Sequence, residues 1–137
     1  MNYPKLPSFR LDGKNALITG AGRGIGMGAS IALAESGANV TLVSRTESEL
    51  KELTKHINSL GYKASYVTID VNDEKAISKL IEDTDPFDIL INNAGTNKPA
   101  KLIDTDLNDF DYVMSLNVRS VINLTKNVVK KMLHNNI

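Results

Sequence analysis

The sequence contains no cysteine and no tryptophan, and neither sign of charge is in excess. Without cysteine, disulfide bridges and cysteine-ligated zinc are excluded, and a reducing compartment is favoured. Lysine plus arginine and aspartate plus glutamate both number 16, whereas a nucleic-acid-binding surface normally carries a basic excess. These absences predict a cytoplasmic protein that binds no nucleic acid, and we assign no metal ligand.

The start of the chain also lacks a long hydrophobic run. Residues 1–10 include two prolines and place charged residues between apolar ones. Such a segment is neither a signal peptide nor a membrane anchor, so we expect no membrane association. We interpret residues 1–12 as a loosely held lead-in that ends in a turn at Asp12-Gly13. With 137 residues and 42% apolar content, the chain suits one globular core, which we assign to residues 13–137.

Glycines are concentrated at one point, between a predicted strand and a predicted helix. The segment Gly20–Gly26 follows the apolar strand Ala16–Thr19. Glycines let the backbone turn tightly and approach a pyrophosphate without a Cβ in the way. The first turn of the following helix offers free N–H groups and the positive end of its dipole to an anion. The segment therefore predicts a nucleotide-phosphate site, and a glycine-rich turn without a ligand is the alternative.

Short apolar runs alternate with helical patterns along the rest of the chain. The spacing of Leu50, Leu53 and Ile57, for example, predicts a helix that Gly61 ends. Strand–helix alternation with short connections gives right-handed βαβ units and a parallel sheet covered by helices. We therefore predict an α/β fold, a Rossmann-like doubly wound parallel sheet with helices on both faces, truncated after about four strands. The later predicted strands are 39–43, 64–69 and 87–91, and the predicted helices between them are 47–60 and 73–83.

The longest predicted helix runs from Asp106 to about Leu133. Its apolar residues occupy more than one stripe, so we expect two of its faces to be buried. One face would pack on the sheet. The other would meet a partner subunit in a homo-oligomer, although chain beyond Ile137 would cover it equally well.

Three motifs follow predicted strands, and a fourth lies inside the long helix. They are Gly20-x3-Gly24-x-Gly26 preceded by Thr19, Asp70-Val71, Asn92-Asn93-Ala94-Gly95, and Asn117-Val118. Over residues 11–136 this combination closely resembles the short-chain dehydrogenase/reductase family. Within the family, the sequence is similar to those of the 3-oxoacyl-carrier-protein reductases and of the gluconate 5-dehydrogenase-like enzymes. The resemblance implies that the chain is the amino-terminal portion of such an enzyme.

The resemblance implies a nicotinamide cofactor that exchanges hydride with a small-molecule carbonyl or alcohol substrate. In the family, the residue matching Asp70 hydrogen-bonds the adenine amino group, and the residue matching Val71 touches the adenine ring. Asn92 and Gly95 are expected on the ribose side of the cofactor, and Asn93 is expected to brace the sheet. A helix N-cap at Asp70 and a simple Asx turn at the asparagines are the alternatives. The predicted cofactor-binding residues are Gly20, Arg23, Gly24, Ile25, Gly26, Ser44, Arg45, Asp70, Val71, Asn92, Ala94 and Gly95.

Asn117 is the one predicted catalytic residue. It lies among apolar neighbours in the long helix, where asparagine has a poor propensity. A buried amide without partners would cost about 1–3 kcal/mol, so we expect this one to be buried and hydrogen-bonded. The resemblance implies that it holds a water in the proton relay beneath the catalytic lysine. A structural polar bridge between helices is the alternative.

The residues after the second strand bear on the choice between NADP and NAD. Folds that choose NAD usually place a carboxylate there, on the ribose 2′-hydroxyl. Here the strand ends in Val43-Ser44-Arg45 without a carboxylate, and Arg23 lies in the glycine turn. Both arginines are within reach of a 2′-phosphate, so we predict NADP. NAD is the alternative, in which Arg45 points to solvent.

The family's catalytic Tyr-x-x-x-Lys motif does not occur in this sequence. None of the four tyrosines is followed by a lysine four positions later. In the family, the tyrosine transfers the proton, the lysine lowers the pKa of the tyrosine, and a serine polarises the carbonyl. We therefore expect no reductase activity from this chain alone. It is either the amino-terminal part of a longer oxidoreductase or a nucleotide-binding module with a regulatory or scaffolding role.

Overall fold

A computed structural model describes residues 8–137, which form a parallel sheet with helices on both of its faces. The strands are β1 (Asn15–Thr19), β2 (Asn39–Ser44), β3 (Ala64–Thr68) and β4 (Ile89–Ile91). The α-helices are α1 (Gly24–Glu35), α2 (Glu47–Ser59), α3 (Glu74–Asp83), α4 (Leu107–Met114) and α5 (Ser120–His134). The four strands lie in the order β3-β2-β1-β4. The prediction of a doubly wound α/β fold is confirmed.

The central strand β1 is buried from both sides. Ala16, Leu17 and Ile18 have no exposed surface, and β1 pairs in parallel with β2 on one side and with β4 on the other. Strands that helices cover on both faces are nearly continuous in apolar residues, as this one is. Because all pairings are parallel, the carboxyl ends of the strands meet at one edge of the sheet. Ligands of such sheets bind at that edge.

Two hydrophobic clusters lie on opposite faces of the sheet. Ile18 and Leu42 belong to one cluster, whereas Leu17 and Val43, one position away on the same strands, belong to the other. This alternation follows from the period of two in a β-strand. The first cluster receives Leu50, Leu53 and Ile57 from α2, and the second receives Ile77, Leu80, Ile81, Leu124 and Val128 from α3 and α5.

A lysine of α5 closes the carboxyl end of α3. The Lys131 ammonium donates hydrogen bonds to the carbonyl oxygens of Ile81 (2.6 Å), Glu82 (3.2 Å) and Thr84. The last carbonyl groups of a helix lack partners within the helix and carry the negative end of its dipole. Lys131 therefore satisfies α3 and fixes α5 against it.

The opposite edge of the sheet, where β1 begins, carries a charged contact. The Asp88 carboxylate accepts hydrogen bonds from the Lys14 ammonium and from the Asn15 backbone N–H, both at 2.8 Å. The Asp88 side chain is only 14% exposed. The Lys14 ammonium, followed by the Asn15 N–H, holds the pKa of Asp88 below its usual range.

The long helix differs from the prediction at one point. Asp106 accepts a hydrogen bond from the Asn108 N–H and caps α4, as the predicted start requires. Between α4 and α5, however, residues Ser115–Arg119 form a π-helical turn. A single α-helix over Asp106–Leu133 is therefore wrong for these five residues. The turn contains Asn117, and π-helical turns of this kind often occur at functional sites.

The predicted lead-in falls partly outside the described residues, because residues 1–7 are not described. Its remaining part is attached rather than loose. The Leu11 N–H donates to the Ser36 carbonyl at 2.8 Å, and Arg10 Nη1 donates to the Glu35 carbonyl at 3.1 Å. These bonds satisfy carbonyl groups at the end of α1, which explains the attachment. Among the helices of the described part, none has the length and apolar character needed to cross a membrane.

Candidate functional site

A cleft of about 410 Å³ opens at the carboxyl edge of the sheet. Ten of the thirteen predicted site residues line it, and three, Gly26, Asn92 and Asn117, do not. The ten are Gly20, Arg23, Gly24, Ile25, Ser44, Arg45, Asp70, Val71, Ala94 and Gly95. The cleft is within the size range of small-molecule sites.

The glycine turn after β1 needs glycine at particular positions. Gly20 and Gly24 have φ values of +61° and +57°, in the left-handed region that side chains disfavour. A Cβ on Gly26 would overlap the carbonyl oxygen of Gly20 and lie 2.5 Å from Nδ2 of Asn93. Gly26 does not line the cleft. Its lack of a side chain instead allows the turn and α1 to pack closely enough to form the cleft.

The first turn of α1 faces the cleft without a side-chain cap. Its N-cap residue is Arg23, whose side chain makes no capping hydrogen bond, and the first turn contains no acidic residue. Ile25 is 85% exposed although it is a large apolar residue. Helix N–H groups in this position, with the positive end of the dipole, favour an anion such as a pyrophosphate.

Thr19 and Asn93 join the ends of β1 and β4 behind the glycine turn. The Thr19 hydroxyl oxygen accepts hydrogen bonds from the N–H groups of Asn93 (3.1 Å) and Ala94 (3.0 Å). The Asn93 side-chain amide donates to the carbonyl groups of Thr19 (3.0 Å) and Gly20 (3.1 Å). Asn93 thus braces the sheet as expected, and a local Asx turn does not explain these bonds between residues more than 70 positions apart.

Asp70 and Val71 follow β3 at the same edge of the sheet. The Asp70 carboxylate accepts a hydrogen bond from the Asn72 N–H at 2.9 Å, and Val71 is buried. Asp73, rather than Asp70, is the N-cap of α3, because its carboxylate accepts from two N–H groups of the first turn. The alternative of a helix N-cap at Asp70 is therefore wrong.

At the end of β2, Arg45 is exposed but has a partner. Its Nη1 donates a hydrogen bond to the hydroxyl of Tyr112 on α4 at 3.0 Å. Ser44 lies beside it, and its hydroxyl accepts a hydrogen bond from the Thr46 N–H at 3.2 Å. The side chain of Arg45 is thus directed along the rim of the cleft, toward α4.

The cleft also contains a carboxylate that sequence reasoning missed. Glu49 lies on the first turn of α2 and lines the cleft, and a Cβ on Gly22 would be 2.6 Å from its Oε2 atom. The pattern Thr46-x-x-Glu49 is typical of a capping box. A capping box predicts the start of a helix and not a ligand site, so the pattern gave no signal for a carboxylate in the cleft. In the structure, Thr46 makes no side-chain cap. The other lining residues that were not predicted are Gly22, Thr46, Ile69, Asn93 and Leu116.

Asn117 is exposed, so the expectation of a buried amide is wrong. Its side chain still makes two hydrogen bonds, because Oδ1 accepts from the Thr96 N–H at 2.9 Å and Nδ2 donates to the Thr96 carbonyl at 2.7 Å. The π-helical turn directs the amide away from the helix, toward the segment after β4. Asn92, also outside the cleft lining, donates from Nδ2 to the Thr125 hydroxyl at 3.0 Å. The amides of both residues therefore fix the segment after β4 to the long helix.

Comparison with known proteins agrees with this geometry. The family model described as short chain dehydrogenase matches residues 14–136. The chain belongs to the short-chain dehydrogenase family. Gluconate 5-dehydrogenase from Gluconobacter oxydans is 38% identical over 137 residues, which cover 97% of this chain and 53% of that protein. A 3-oxoacyl-[acyl-carrier-protein] reductase from Thermotoga maritima is 33% identical, with 91% of this chain and 52% of the relative covered.

Solved structures of short-chain dehydrogenases have the same fold. A short-chain type dehydrogenase/reductase from Mycobacterium marinum has a TM-score of 0.90 at 29% identity, with 95% of this chain and 54% of the other covered. A gluconate 5-dehydrogenase from Burkholderia cenocepacia, in complex with NADP and tartrate, has a TM-score of 0.87 at 33% identity. It covers 93% of this chain, which in turn covers 52% of it. The chain thus spans about half the length of the relatives that it matches.

Proposed function

We propose that this short-chain dehydrogenase chain is the cofactor-binding part, residues 13–137, of a cytoplasmic NADP-preferring oxidoreductase. The observation that carries the proposal is the uncapped first turn of α1, which follows a glycine turn and faces the cleft. When bound, a nicotinamide cofactor exchanges hydride with a carbonyl or alcohol carbon of a small molecule. Relatives named as dehydrogenases and reductases support this class of reaction.

The residues of the cleft have separate roles in this proposal. The N–H groups of the Gly20–Gly26 turn and of α1 hold the pyrophosphate. Asp70 and Val71 contact the adenine, Gly95 lies along the ribose, and Ala94 lines the cleft next to it. The structure places Asn92 outside the lining, so its contact with the cofactor stays a prediction. Asn117 also stays a prediction as a member of the proton relay.

The preference for NADP rests on the positive charge at one end of the cleft. Arg23 and Arg45 both line it, and Ser44, the last residue of β2, adds a hydroxyl to the same lining. A charged hydrogen bond to a 2′-phosphate contributes about 1.5–3 kcal/mol, which favours NADP roughly ten- to a hundredfold. The Burkholderia relative whose structure contains NADP supports the same choice. Glu49 is the observation that favours NAD, because its carboxylate lies at this end and repels a phosphate.

Titration of NADP and NAD by calorimetry tests the preference directly. We expect Arg45→Asp to reverse it, because the variant exchanges an attractive charge for a repulsive one beside the 2′ position. Lys51→Asp is the matched control, since it makes the same change of charge on the exposed face of α2, outside the cleft. Glu49→Gln should act in the opposite sense and raise NADP affinity severalfold. Unchanged discrimination in Arg45→Asp would contradict the NADP assignment, and no uptake of either cofactor would contradict the whole proposal.

The 137-residue chain lacks the motif that the family uses for proton transfer. The printed sequence has no Tyr-x-x-x-Lys, so it holds neither the proton donor nor the lysine that lowers the pKa of that donor. We expect cofactor binding without turnover of carbonyl substrates by the 137-residue chain. A measurable rate of NADPH oxidation with a carbonyl substrate by the purified chain would contradict this view. A nucleotide-binding module with a regulatory role gains no support from relatives that are named as enzymes.

We also propose that residues 106–133, which span α4, the π-helical turn and most of α5, form a homo-oligomer contact in the full-length protein. Phe110, Met114, Val118 and Ile122 follow one another at intervals of four residues and are 51%, 42%, 42% and 63% exposed. Such a spacing places them on one face of a helix. In light scattering of the full-length protein after size exclusion, Ile122→Asp is expected to lower the mass toward that of the monomer, whereas Leu60→Asp, at an exposed apolar residue after α2, is not. Equal masses for both variants and the unchanged chain would argue against the contact.

A further inference from the structure

The contact between Arg45 and Tyr112 connects the rim of the cleft with the long helix. The two residues are 67 positions apart, and the guanidinium donates to the tyrosine hydroxyl at 3.0 Å. The Tyr112 ring is half-buried and packs against the hydrophobic cluster that contains Val71 and Leu116. Arg45 is exposed and lines the cleft. A fixed hydroxyl therefore holds one end of an otherwise free side chain.

The helix that carries Tyr112 is itself fixed relative to the cleft. The Ser115 hydroxyl donates to Oδ1 of Asn72 at 3.0 Å, in the loop between β3 and α3. Arg119 Nε donates to a carboxylate oxygen of Glu74 at 2.9 Å, at the start of α3. Residues 112, 115 and 119 are three and four positions apart, so they share one face of the helix. This face meets the loops that follow β2 and β3, and the position of the tyrosine hydroxyl is set by more than its own contact.

We propose that Tyr112 is a positioning residue for cofactor selectivity, which orients Arg45 toward the 2′-phosphate of NADP. The inference rests on the proposed function. A guanidinium has five N–H donors in a rigid fork, so one bond to Tyr112 leaves the others available to a phosphate. The bond to Tyr112 orders the Arg45 side chain before NADP binds. Without the tyrosine hydroxyl, Arg45 would be free to change rotamer, and binding of NADP would then have to offset the entropy of ordering it.

A positioning role for Tyr112 predicts that the loss of its hydroxyl weakens ligands with a 2′-phosphate and spares ligands without one. Tyr112→Phe keeps the packed ring and removes only the hydroxyl. The cost of ordering one long side chain corresponds to about three- to tenfold weaker binding of a ligand that uses Arg45. A ligand without the 2′-phosphate does not use Arg45, and its affinity should change less than twofold.

The test compares 2′,5′-ADP with 5′-AMP by calorimetry on the full 137-residue chain. The variants are Tyr112→Phe, Arg45→Ala and both together. We expect Tyr112→Phe to weaken 2′,5′-ADP three- to tenfold, to leave 5′-AMP unchanged, and to have no further effect in the Arg45→Ala background. Tyr62→Phe is the matched control, because it removes a tyrosine hydroxyl two residues before β3, away from the cleft.

Each outcome has a defined meaning. Unchanged or tighter binding of 2′,5′-ADP by Tyr112→Phe would overturn the inference, and so would an equal loss in the Arg45→Ala background. An equal loss for both nucleotides would indicate a damaged fold and would also count against it. In all of these cases, discrimination by the unchanged chain would leave the proposed function intact. Failure of the unchanged chain to bind either nucleotide would instead overturn the proposed function.

Discussion

Substitution of Gly26 by alanine tests the closest approach in the cleft wall. A Cβ at this position would overlap the carbonyl oxygen of Gly20 and lie 2.5 Å from the Asn93 amide nitrogen. Neither neighbour moves easily, since one is backbone and the other donates to the Thr19 and Gly20 carbonyl groups. The substitution must therefore displace the glycine turn or α1.

The expected magnitude follows from a comparison within the same helix. Gly28 has nothing within 4 Å of an added Cβ, so Gly28→Ala should stabilise the chain by about 0.5–1 kcal/mol through helix propensity. Gly26→Ala gains the same propensity but overfills a packed position, which costs about 1–3 kcal/mol. Because the displaced turn forms the proposed pyrophosphate site, we also expect at least a tenfold loss of NADP affinity, about 1.4 kcal/mol.

Urea unfolding followed by circular dichroism, together with NADP titration, measures both effects. The contrast between two glycines two positions apart removes general effects of an alanine in α1. Equal stability and equal NADP affinity in Gly26→Ala and Gly28→Ala would refute the reasoning, because the close approach would then have no energetic consequence.

Three further substitutions test contacts outside the glycine turn. Asp88→Asn should lower stability by about 1 kcal/mol at pH 7, and the difference should vanish in acid unfolding. The sign follows from the lowered pKa of Asp88, which stabilises the fold at pH values above the unfolded pKa of about 3.9. This stabilisation is lost as the pH falls through the lower pKa of the folded state. Lys131→Met should destabilise by about 1–3 kcal/mol in urea, because two carbonyl groups of α3 and that of its C-cap residue Thr84 lose their donor. Asn117→Ala should speed hydrogen exchange at the Thr96 N–H, measured by NMR, with little loss of global stability.

The fold could be predicted because its signals are local. Apolar runs and stop signals placed all four strands and the helices α2 and α3 within a few residues of their observed bounds. The glycine turn was equally legible, since strand, turn and helix are adjacent in the sequence. The π-helical turn at Ser115–Arg119 was not, because nothing in the apolar spacing marks one extra residue per turn.

The contacts that shape the candidate site escaped prediction for a different reason. Arg45 and Tyr112 are 67 positions apart, and Asn117 and Thr96 are 21 apart. Periodicity assigns each residue to a helix or a loop but does not pair side chains across the fold. Asn117 also shows that a polar residue among apolar neighbours need not be buried, because the π-helical turn directs its amide outward.

The ammonium of Lys131 can report chemically on the contact between α3 and α5. With no tryptophan, docking of α5 on α3 has no strong intrinsic fluorescence signal. Lys130 is exposed next to it, whereas Lys131 is engaged with backbone carbonyl groups. Amine-selective labelling followed by mass spectrometry should therefore modify the two adjacent lysines at very different rates. The ratio of the two labelling rates would report the separation of α3 and α5 during unfolding. Both lysines can be read in the same peptide, because they are adjacent in the sequence.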